Sequence, residues 1–217
     1  MSNYYKTNQG LFISVEGIDG SGKTTQVNNL STYFKELGHE VISYREPGGT
    51  PAGESIRSIT KTMAIHPRTE LLLYYAARLE LLYSQVIPAL TEGKVVILDR
   101  FIHSSIAYQG YLSGLKSEVE LLNSILPMEG DRVILPSLTF YLRISAQTSI
   151  DRCKLDTDRS THDPKDALSL QDKLTIIHGY DICAAKDPYH IRTIDAEQPI
   201  SDVWKDIKVI LDQKFTR

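Results

Sequence analysis

Cysteine and long apolar runs are both scarce in this 217-residue sequence. The two cysteines, Cys153 and Cys183, are too few and too isolated for a disulfide framework or a cysteine-rich metal site, so we interpret them as thiols in a reducing compartment. No apolar run approaches the roughly 18 residues that a membrane span requires. The polar residues 1–10 lack the apolar core of a signal peptide and predict a short flexible lead-in. We therefore expect a cytoplasmic protein with no membrane partner.

An excess of charge of either sign is also lacking. The 24 Lys and Arg residues nearly balance the 27 Asp and Glu residues, and the net charge of −3 gives no sign of a nucleic-acid partner. Hydrophobic residues make up 41% of the chain, which is enough for a full core. Because neither repeats nor Pro/Gly/Ser-rich linkers divide the sequence, we expect a single domain over residues 1–217.

Short apolar runs alternate with longer mixed stretches along the chain. The runs predict five strands, at residues 11–16, 40–44, 94–98, 137–142 and 191–194. Helices are predicted from the turn after the first strand to about residue 37, at 69–90 with Thr69 as N-cap, and at about 200–211. This alternation indicates an α/β fold in which a five-stranded parallel sheet has helices on both faces and binds ligands at the carboxyl ends of its strands.

The segment between the first predicted strand and the first predicted helix matches the pattern G-x-x-x-x-G-K-[ST]. Its glycines let consecutive backbone N–H groups cradle a phosphate at the positive end of the helix. We expect Lys23 to reach the β- and γ-phosphates of ATP and the Thr24 hydroxyl to bind Mg²⁺. The predicted ATP-binding residues of this P-loop are Gly17, Ile18, Asp19, Gly20, Ser21, Gly22, Lys23, Thr24 and Thr25.

A carboxylate that suits the same metal ion directly follows the predicted strand 94–98. This residue is Asp99, and with Thr24 it predicts a magnesium site. An acidic residue at a strand end is common, so the prediction that Asp99 binds the metal depends on the presence of the P-loop. The N-K-x-D motif of a guanine-reading GTPase is absent from the sequence. The pattern therefore favours a phosphotransferase that uses ATP.

Basic and aromatic residues that suit a small anionic acceptor are also present. Arg45 follows the second predicted strand and Arg100 the third, whereas Arg78 lies in the long helix four residues after Tyr74. That spacing places Tyr74 and Arg78 on one helix face, where they would hold a pyrimidine base by stacking and by donation to a carbonyl. From spacing alone, a core tyrosine beside a solvated arginine is the stronger interpretation.

Seven segments, taken in order, resemble bacterial thymidylate kinase. They are residues 16–25 (EGIDGSGKTT), 45–50 (REPGGT), 75–78 (YAAR), 99–100 (DR), 107–110 (AYQG), 138–142 (LTFYL) and 194–199 (IDAEQP). The P-loop is shared by many families, whereas REPGGT and AYQG are far more specific. The resemblance covers about residues 11–211. It implies a nucleoside-monophosphate-kinase-like P-loop fold with a mobile lid, Mg-ATP-dependent phosphorylation of dTMP to dTDP, and a homodimer.

The resemblance also implies roles for individual residues. Arg100 and Arg45 would hold the acceptor phosphate, Tyr74 would stack on thymine, and Arg78 would contact a base carbonyl. The implied dTMP-binding residues are Asp19, Arg45, Tyr74, Arg78, Arg100, Ser104, Ser105, Tyr108 and Gln109. The implied catalytic residues are Lys23, Arg100, Arg159 and Asp19, and the residues that join the P-loop in binding ATP are Arg152, Ala196 and Gln198.

The P-loop itself carries no arginine. In the resembling family, enzymes of this kind supply the missing positive charge from the mobile lid. The charged stretch at about residues 152–165 is the candidate lid, with Arg159 as the first choice for the catalytic arginine and Arg152 and Lys154 next. A charge-rich stretch is also typical of an ordinary solvated loop.

Three features depart from the resembling family. An acidic residue is common there at the place of Ile102 or His103, an Arg-Gly pair stands in place of Ser113-Gly114, and the lid is differently spaced. Lys116 offers a charge near that pair, but as a point charge rather than a planar fork. Two alternatives therefore stay open: a kinase of the same fold with another nucleotide or nucleoside as acceptor, and a nucleotide-binding regulatory protein. The intact P-loop and DR pair argue against the second.

Overall fold

The computed structural model describes residues 10–124, 126, 128–129, 132–155 and 168–215. Arg159 and the rest of the predicted lid from residue 156 onwards lie outside this described part, as do residues 1–9. The first predicted lid residues, 152–155, form the end of a helix. No helix among the described residues is long and apolar enough to cross a membrane.

Five parallel strands form the central sheet, in the spatial order β2-β3-β1-β6-β7, and β4 pairs with β5 in a separate antiparallel sheet. The strands of the described part are β1 (Leu11–Glu16), β2 (Val41–Arg45), β3 (Val95–Asp99), β4 (Met128–Glu129), β5 (Arg132–Val133), β6 (Leu138–Arg143) and β7 (Ile191–Asp195). The predicted five-stranded parallel sheet is confirmed, and each predicted strand lies within one residue of its observed bounds. The short β4–β5 pair was not predicted.

The register of the central strands brings their carboxyl ends to one edge. Val15 of β1 is paired with Asp99 of β3 on one side and with Phe140 of β6 on the other. Arg45, the last residue of β2, is paired with the same Asp99. The segments that follow β1, β2 and β3 therefore start side by side, where parallel sheets bind their ligands.

Apolar side chains cover both faces of the sheet, as its near-continuous hydrophobic strands require. Along β1, Phe12 packs into one core cluster, whereas Ile13 and Val15 belong to the other. The polar side chain of Ser14 is buried and lies 2.8 Å from the Thr139 hydroxyl, so its hydrogen-bonding need is met inside the sheet.

Helices cover the sheet and form most of the connections between its strands. They are α1 (Lys23–Glu36), α2 (Pro51–Thr62), α3 (Pro67–Leu81), α4 (Ile87–Thr91), α5 (Ile102–Ser105), α6 (Lys116–Ser124), α7 (Ala146–Leu155), α8 (Leu170–Lys186) and α9 (Ile200–Phe215). Two wider π-helical turns, Leu82–Val86 and Ile106–Leu112, link α3 to α4 and follow α5.

The long helix predicted at residues 69–90 is present, but its predicted N-cap at Thr69 is wrong. The helix begins at Pro67, and the His66 side chain caps it by accepting a hydrogen bond from the Arg68 N–H. Proline suits the first helical position because its fixed φ is helical and its missing N–H is not needed there. The π-helical turn precedes Pro88, whose ring would otherwise clash with a carbonyl one turn earlier.

Among the described helices without predicted bounds, α2, α5, α6, α7 and α8, two have clear capping signals in the sequence. Helix α2 follows the turn-rich residues 45–50, and the Thr50 hydroxyl caps it by accepting from the Gly53 N–H. Helix α8 starts with a capping box, in which Ser169 and Asp172 each accept a hydrogen bond from the other's backbone N–H.

Candidate active site

The P-loop runs from the end of β1 to the first residue of α1. Gly17, Gly20 and Gly22 all have positive φ, at 146°, 80° and 88°. A Cβ atom on Gly17 would lie 2.6 Å from the Leu142 carbonyl oxygen, so only glycine fits there. This backbone directs N–H groups into the loop at the positive end of α1, which is the arrangement that binds phosphate.

Lys23 is buried inside the P-loop, where it is predicted to contact the bound phosphates. Its ammonium group donates a 3.1 Å hydrogen bond to the Ile18 carbonyl oxygen. Burial lowers the pKa of Lys23 to about 8, and the positive charge of Arg100 acts in the same direction. An anionic ligand in the loop would offset both effects.

Thr24 and Asp99 meet as the two predicted magnesium ligands. The Thr24 hydroxyl donates a 3.0 Å hydrogen bond to Oδ2 of Asp99, which joins the start of α1 to the end of β3. A hydroxyl and a carboxylate are hard oxygen donors that fit Mg²⁺. The described residues include no cluster of three or more His, Cys, Asp or Glu side chains that could hold a metal. The positions of such an ion that these two oxygens leave open would be filled by phosphate oxygens and water.

Arg100 is fixed to the P-loop. It is the only non-glycine residue of the described chain with a clearly positive φ, at 73°. Its guanidinium donates to the Gly17 carbonyl at 2.9 Å, to Asp19 Oδ1, and to the hydroxyls of Ser104 and Tyr180 at 3.2 Å each. The predicted acceptor arginine and the predicted donor loop are thus in direct contact.

Arg78 is almost fully buried, with 3% of its surface exposed, and not solvated as spacing alone suggested. Its Nε donates to Glu46 Oε2 at 2.8 Å, and its Nη2 donates to the Ser105 hydroxyl at 3.0 Å and to the Phe101 carbonyl at 3.1 Å. Within the described part of the chain, Nη1 of Arg78 and Oε1 of Glu46 have no hydrogen-bond partner. A buried donor and a buried acceptor therefore remain for a polar ligand.

Two aromatic rings contact the Arg78 guanidinium. The guanidinium lies 4.7 Å from the Tyr75 ring centroid and 5.2 Å from that of Phe101. Tyr74 is half-buried, and its hydroxyl donates to Glu70 at 2.9 Å. The role of Tyr74 in stacking on a base stays a prediction.

A cleft of about 460 Å³ lies at the carboxyl ends of the strands. Its lining residues are Asp19, Gly20, Gly22, Lys23, Thr24, Thr25, Arg45, Glu46, Arg57, Asp99, Arg100 and Arg152. Lysine and arginine outnumber acidic residues in this set, in contrast to the slightly acidic chain as a whole. The cleft therefore suits polyanionic ligands.

Two of these lining residues were missed by the sequence analysis. Glu46 stands beside Arg45 in the REPGGT segment, and its position alone gave no sign of the buried pair with Arg78. Arg57 lies on α2, for which no bounds were predicted, and it donates to the Pro47 carbonyl at 3.1 Å. Arg45 itself is half-exposed and paired with Glu54 at 2.9 Å.

Arg152 connects the P-loop to the loop after β7. Its two terminal nitrogens donate to the carbonyl oxygens of Gly20 and Glu197, at 3.3 Å each. Ala196 is buried and donates its N–H to the Arg143 carbonyl. The Gln198 side chain is bound to Asp206 of α9 and is not part of the cleft lining. Arg152 is thus the predicted ATP-binding residue outside the P-loop that reaches the cleft.

A buried lysine on α8 also reaches the P-loop. The Lys173 ammonium donates to the Ser149 hydroxyl at 3.2 Å, and that hydroxyl donates to the Asp19 carbonyl at 2.6 Å. Seven residues further along α8, the Tyr180 hydroxyl contacts Arg100. A single helix is therefore linked to the donor loop through Ser149 and contacts the acceptor arginine directly.

Three of the remaining predicted acceptor residues contact Arg100 or Arg78. The Tyr108 ring centroid lies 5.2 Å from the Arg100 guanidinium carbon. Ser104 and Ser105, on α5, each accept a hydrogen bond from one of these arginines. Gln109 is buried in the π-helical turn that follows.

The positions that depart from the resembling family can also be placed. His103 is largely buried, with 14% of its side chain exposed, and its Nδ1 lies 3.8 Å from Glu16 Oε1. Burial lowers its pKa to about 4, which makes it neutral at pH 7. The Lys116 ammonium lies 3.9 Å from the Tyr111 ring centroid, and Lys116 is not among the cleft residues. Ser113 precedes Gly114, which has a φ of 72°.

Known proteins with similar sequences and structures share one function in their names. The sequence model described as thymidylate kinase matches residues 15–207. A thymidylate kinase of Clostridium novyi is 39% identical over 94% of this chain and 99% of its own length. One from Thermoanaerobacter sp. is 40% identical over 92% and 96%. The crystal structure of thymidylate kinase from Ehrlichia chaffeensis superposes with a TM-score of 0.74 at 31% identity, covering 94% of this chain and 99% of that one. The chain belongs to the thymidylate kinase family.

Proposed function

We propose that this chain transfers the γ-phosphoryl group of ATP to dTMP, giving dTDP and ADP. The observation that carries the proposal is the contact between Arg100 and the P-loop, through the Gly17 carbonyl and Asp19. It joins a cation that suits the acceptor phosphate to the loop that suits the donor phosphates. Family membership over residues 15–207 supports the same reaction.

The donor half of the site is the P-loop with Lys23. Inward N–H groups and the Lys23 ammonium would bind the β- and γ-phosphates of ATP. Arg152, bound to Gly20 and to Glu197, would border the nucleotide where the P-loop meets the loop after β7. The adenine would then lie beside Ala196.

Magnesium belongs to this half of the proposal. Thr24 and Asp99 are the residues that would hold it, because their oxygen atoms lie within hydrogen-bonding distance of each other at the cleft. When bound, Mg²⁺ neutralises charge on the β- and γ-phosphates. The protein's own task is to place these two oxygens.

The acceptor half is formed by Arg100, Arg45 and the buried pair of Arg78 and Glu46. Arg100 and Arg45 line the cleft and would bind the acceptor phosphate. The Nη1 donor of Arg78 suits a carbonyl of the base, and the Glu46 oxygen that lacks a partner in the described part suits a base N–H. A thymine ring offers both groups.

Alignment and charge neutralisation would be the main sources of catalysis. An oxygen of the acceptor phosphate attacks the γ-phosphorus, the bond from that phosphorus to the bridging oxygen of ATP breaks, and ADP leaves with the electron pair. A phosphate oxygen is already nucleophilic near neutral pH, so no general base is required. Lys23 and Arg100 would balance the charge that develops, and Arg159, which lies outside the described residues, would complete the site from the lid.

Two further expectations from the family resemblance are part of the proposal. A homodimer would form through packed helices, and light scattering tests it directly. Arg159→Ala should lower kcat by about a hundredfold or more without changing the melting temperature, because the lid charge acts on the transferring group. Near-normal turnover in that variant would remove Arg159 from the mechanism.

A coupled assay of ADP release tests the reaction itself. With ATP and Mg²⁺ fixed, kcat/KM is compared for dTMP, dUMP, dCMP and AMP. The proposal expects dTMP to be the best acceptor. An equal or higher value for another nucleotide would instead favour a kinase of the same fold with a different acceptor. Tight ATP binding with no turnover of any acceptor would favour a regulatory protein.

A further inference from the structure

Glu16, the last residue of β1, is completely buried and has no part in the reaction described above. A buried carboxylate is costly unless hydrogen bonds compensate for lost water, so its partners indicate what it is for. All of its hydrogen-bond partners in the described chain belong to the segment 101–104 or to α8. Both elements also contact Arg100.

One carboxylate oxygen holds the backbone on the carboxyl side of Arg100. Oε1 of Glu16 accepts from the Phe101 N–H at 2.8 Å and from the Ser104 N–H at 3.3 Å. These two amides belong to the N-cap residue and to the third residue of the short helix α5. Because Arg100 itself has a φ of 73°, an unfavourable conformation for a residue with a side chain, a fixed anchor directly after it keeps its backbone in place.

The other oxygen organises the two hydroxyls that contact the Arg100 guanidinium. Oε2 of Glu16 accepts from the Ser104 hydroxyl at 2.6 Å and lies 3.3 Å from the Tyr180 hydroxyl. Both hydroxyls accept from Arg100 Nη1, and they lie 2.8 Å from each other. A hydroxyl has one proton, so a proton directed at Glu16 leaves its lone pairs for Arg100.

We propose that Glu16 is a positioning residue that holds the Arg100 guanidinium ready for the acceptor phosphate. The inference rests on the proposed role of Arg100 in acceptor binding. It requires the ionised carboxylate, because every hydrogen bond to Glu16 is donated by its partner. A neutral group with its own N–H or O–H would compete for the same hydroxyl lone pairs that serve Arg100.

The surroundings of Glu16 place its titration near neutral pH. Burial raises its pKa to about 7, against the hydrogen bond from Ser104 and the charge of Arg100. The other charged or titratable groups of the described chain that act on Glu16 are His103, with Nδ1 at 3.8 Å, and Tyr180, together with Lys23, Arg78, Tyr108 and Cys183 through space. Acceptor binding should therefore weaken as the pH falls below about 7.

Steady-state kinetics of Glu16→Gln at pH 6 and pH 8 test the proposal, with Glu40→Gln as the matched control. Glu40 is exposed and lies at the opposite end of the strands. At pH 8, we expect KM for dTMP to rise about tenfold in E16Q, with KM for ATP nearly unchanged, because one charge-assisted contact is weakened. The control should match wild type. The titration of dTMP itself is common to all variants, so any extra loss of wild-type affinity at pH 6 reports Glu16.

An unchanged KM for dTMP and an unchanged pH profile in folded E16Q would overturn the proposal. If E16Q fails to fold, Tyr180→Phe removes one of the two shared hydroxyls while keeping the ring. This variant should raise KM for dTMP but not for ATP. An unchanged KM for dTMP in Tyr180→Phe would also overturn the proposal. Arg100→Ala distinguishes a failure of the acceptor role of Arg100 from a failure of the positioning role of Glu16. If its KM for dTMP is normal, the acceptor role of Arg100 is wrong, whereas a raised value beside a normal E16Q defeats only the role of Glu16.

Discussion

Arg78 and Glu46 form an ion pair at 2.8 Å whose side chains are only 3% and 5% exposed. Burial raises the pKa of Glu46, and the charge of Arg78 opposes this by favouring the carboxylate. A buried ion pair of this kind changes the free energy of unfolding little as a unit. Removal of one partner, however, destabilises the protein strongly because the other charge stays buried. It also joins the loop after β2 to the long helix.

Glu46→Gln should therefore destabilise the protein by about 3–5 kcal/mol, since it leaves the Arg78 charge buried and unbalanced. Urea unfolding at pH 7.5 measures this loss. Glu118→Gln is the matched control, because Glu118 pairs with Arg68 at the surface, where water screens the charges, and its loss should destabilise the protein far less. Equal losses of unfolding free energy in the two variants would mean that the buried pair contributes no more to stability than the surface pair.

Asp99→Asn should raise the Mg²⁺ concentration needed for half-maximal activity by about tenfold, because a neutral amide binds the ion more weakly than a carboxylate. Titration of Mg²⁺ at saturating ATP and dTMP gives the value. Asp202→Asn, at the exposed start of α9, should leave it unchanged. The same Mg²⁺ requirement in D99N as in wild type would exclude Asp99 from the metal site.

The pKa of Lys23, lowered to about 8, predicts a pH limit on ATP capture. Above this pH the free enzyme loses the ammonium charge, so kcat/KM for ATP should fall as pH rises from 8 to 10, whereas below 8 the charge is present. Lys23→Arg should move this limb beyond the accessible range, because guanidinium stays protonated. A profile that is flat to pH 10 in wild type would contradict the lowered pKa.

Gly179 is the point where α8 packs against the π-helical turn that contains Ala107. A Cβ atom there would lie 2.9 Å from the Ala107 Cα atom and 3.1 Å from the Tyr111 ring. Gly179→Ala should therefore destabilise the fold by about 1–3 kcal/mol through overpacking. Gly110→Ala has ordinary clearance, with its nearest atom at 3.8 Å, and should be neutral or slightly stabilising in thermal unfolding. A loss at Gly110 as large as at Gly179 would refute the packing argument.

The strands and the P-loop were predictable because their signals are local. A buried parallel strand is an apolar run, and a loop that cradles phosphate needs glycine at set positions. Helix α2 was missed because Pro51 and Gly53 resemble the turn before them, and its cap at Thr50 went unused. The predicted N-cap Thr69 is of a commoner capping type than His66, the residue that caps the helix.

The interior of the site could not be predicted from spacing. The pattern placed Tyr74 and Arg78 on one helix face, but it gave no sign that the Tyr75 ring lies 4.7 Å from the guanidinium. Glu16 and Tyr180 are far apart in sequence, and only the packing of α8 brings them within 3.3 Å. Contacts of this kind depend on how helices pack on the sheet, which single-sequence periodicity does not specify.

Helix α8 bridges the two halves of the cleft, with Lys173 reaching the P-loop backbone through Ser149 and Tyr180 touching Arg100. These two positions are separated by two helical turns, or about 10 Å along the axis. An α-helix hardly stretches, so α8 fixes the spacing between its link to the donor loop and its contact with the acceptor arginine. The distance between the groups that would bind the donor and acceptor phosphates is therefore set by the length of this helix.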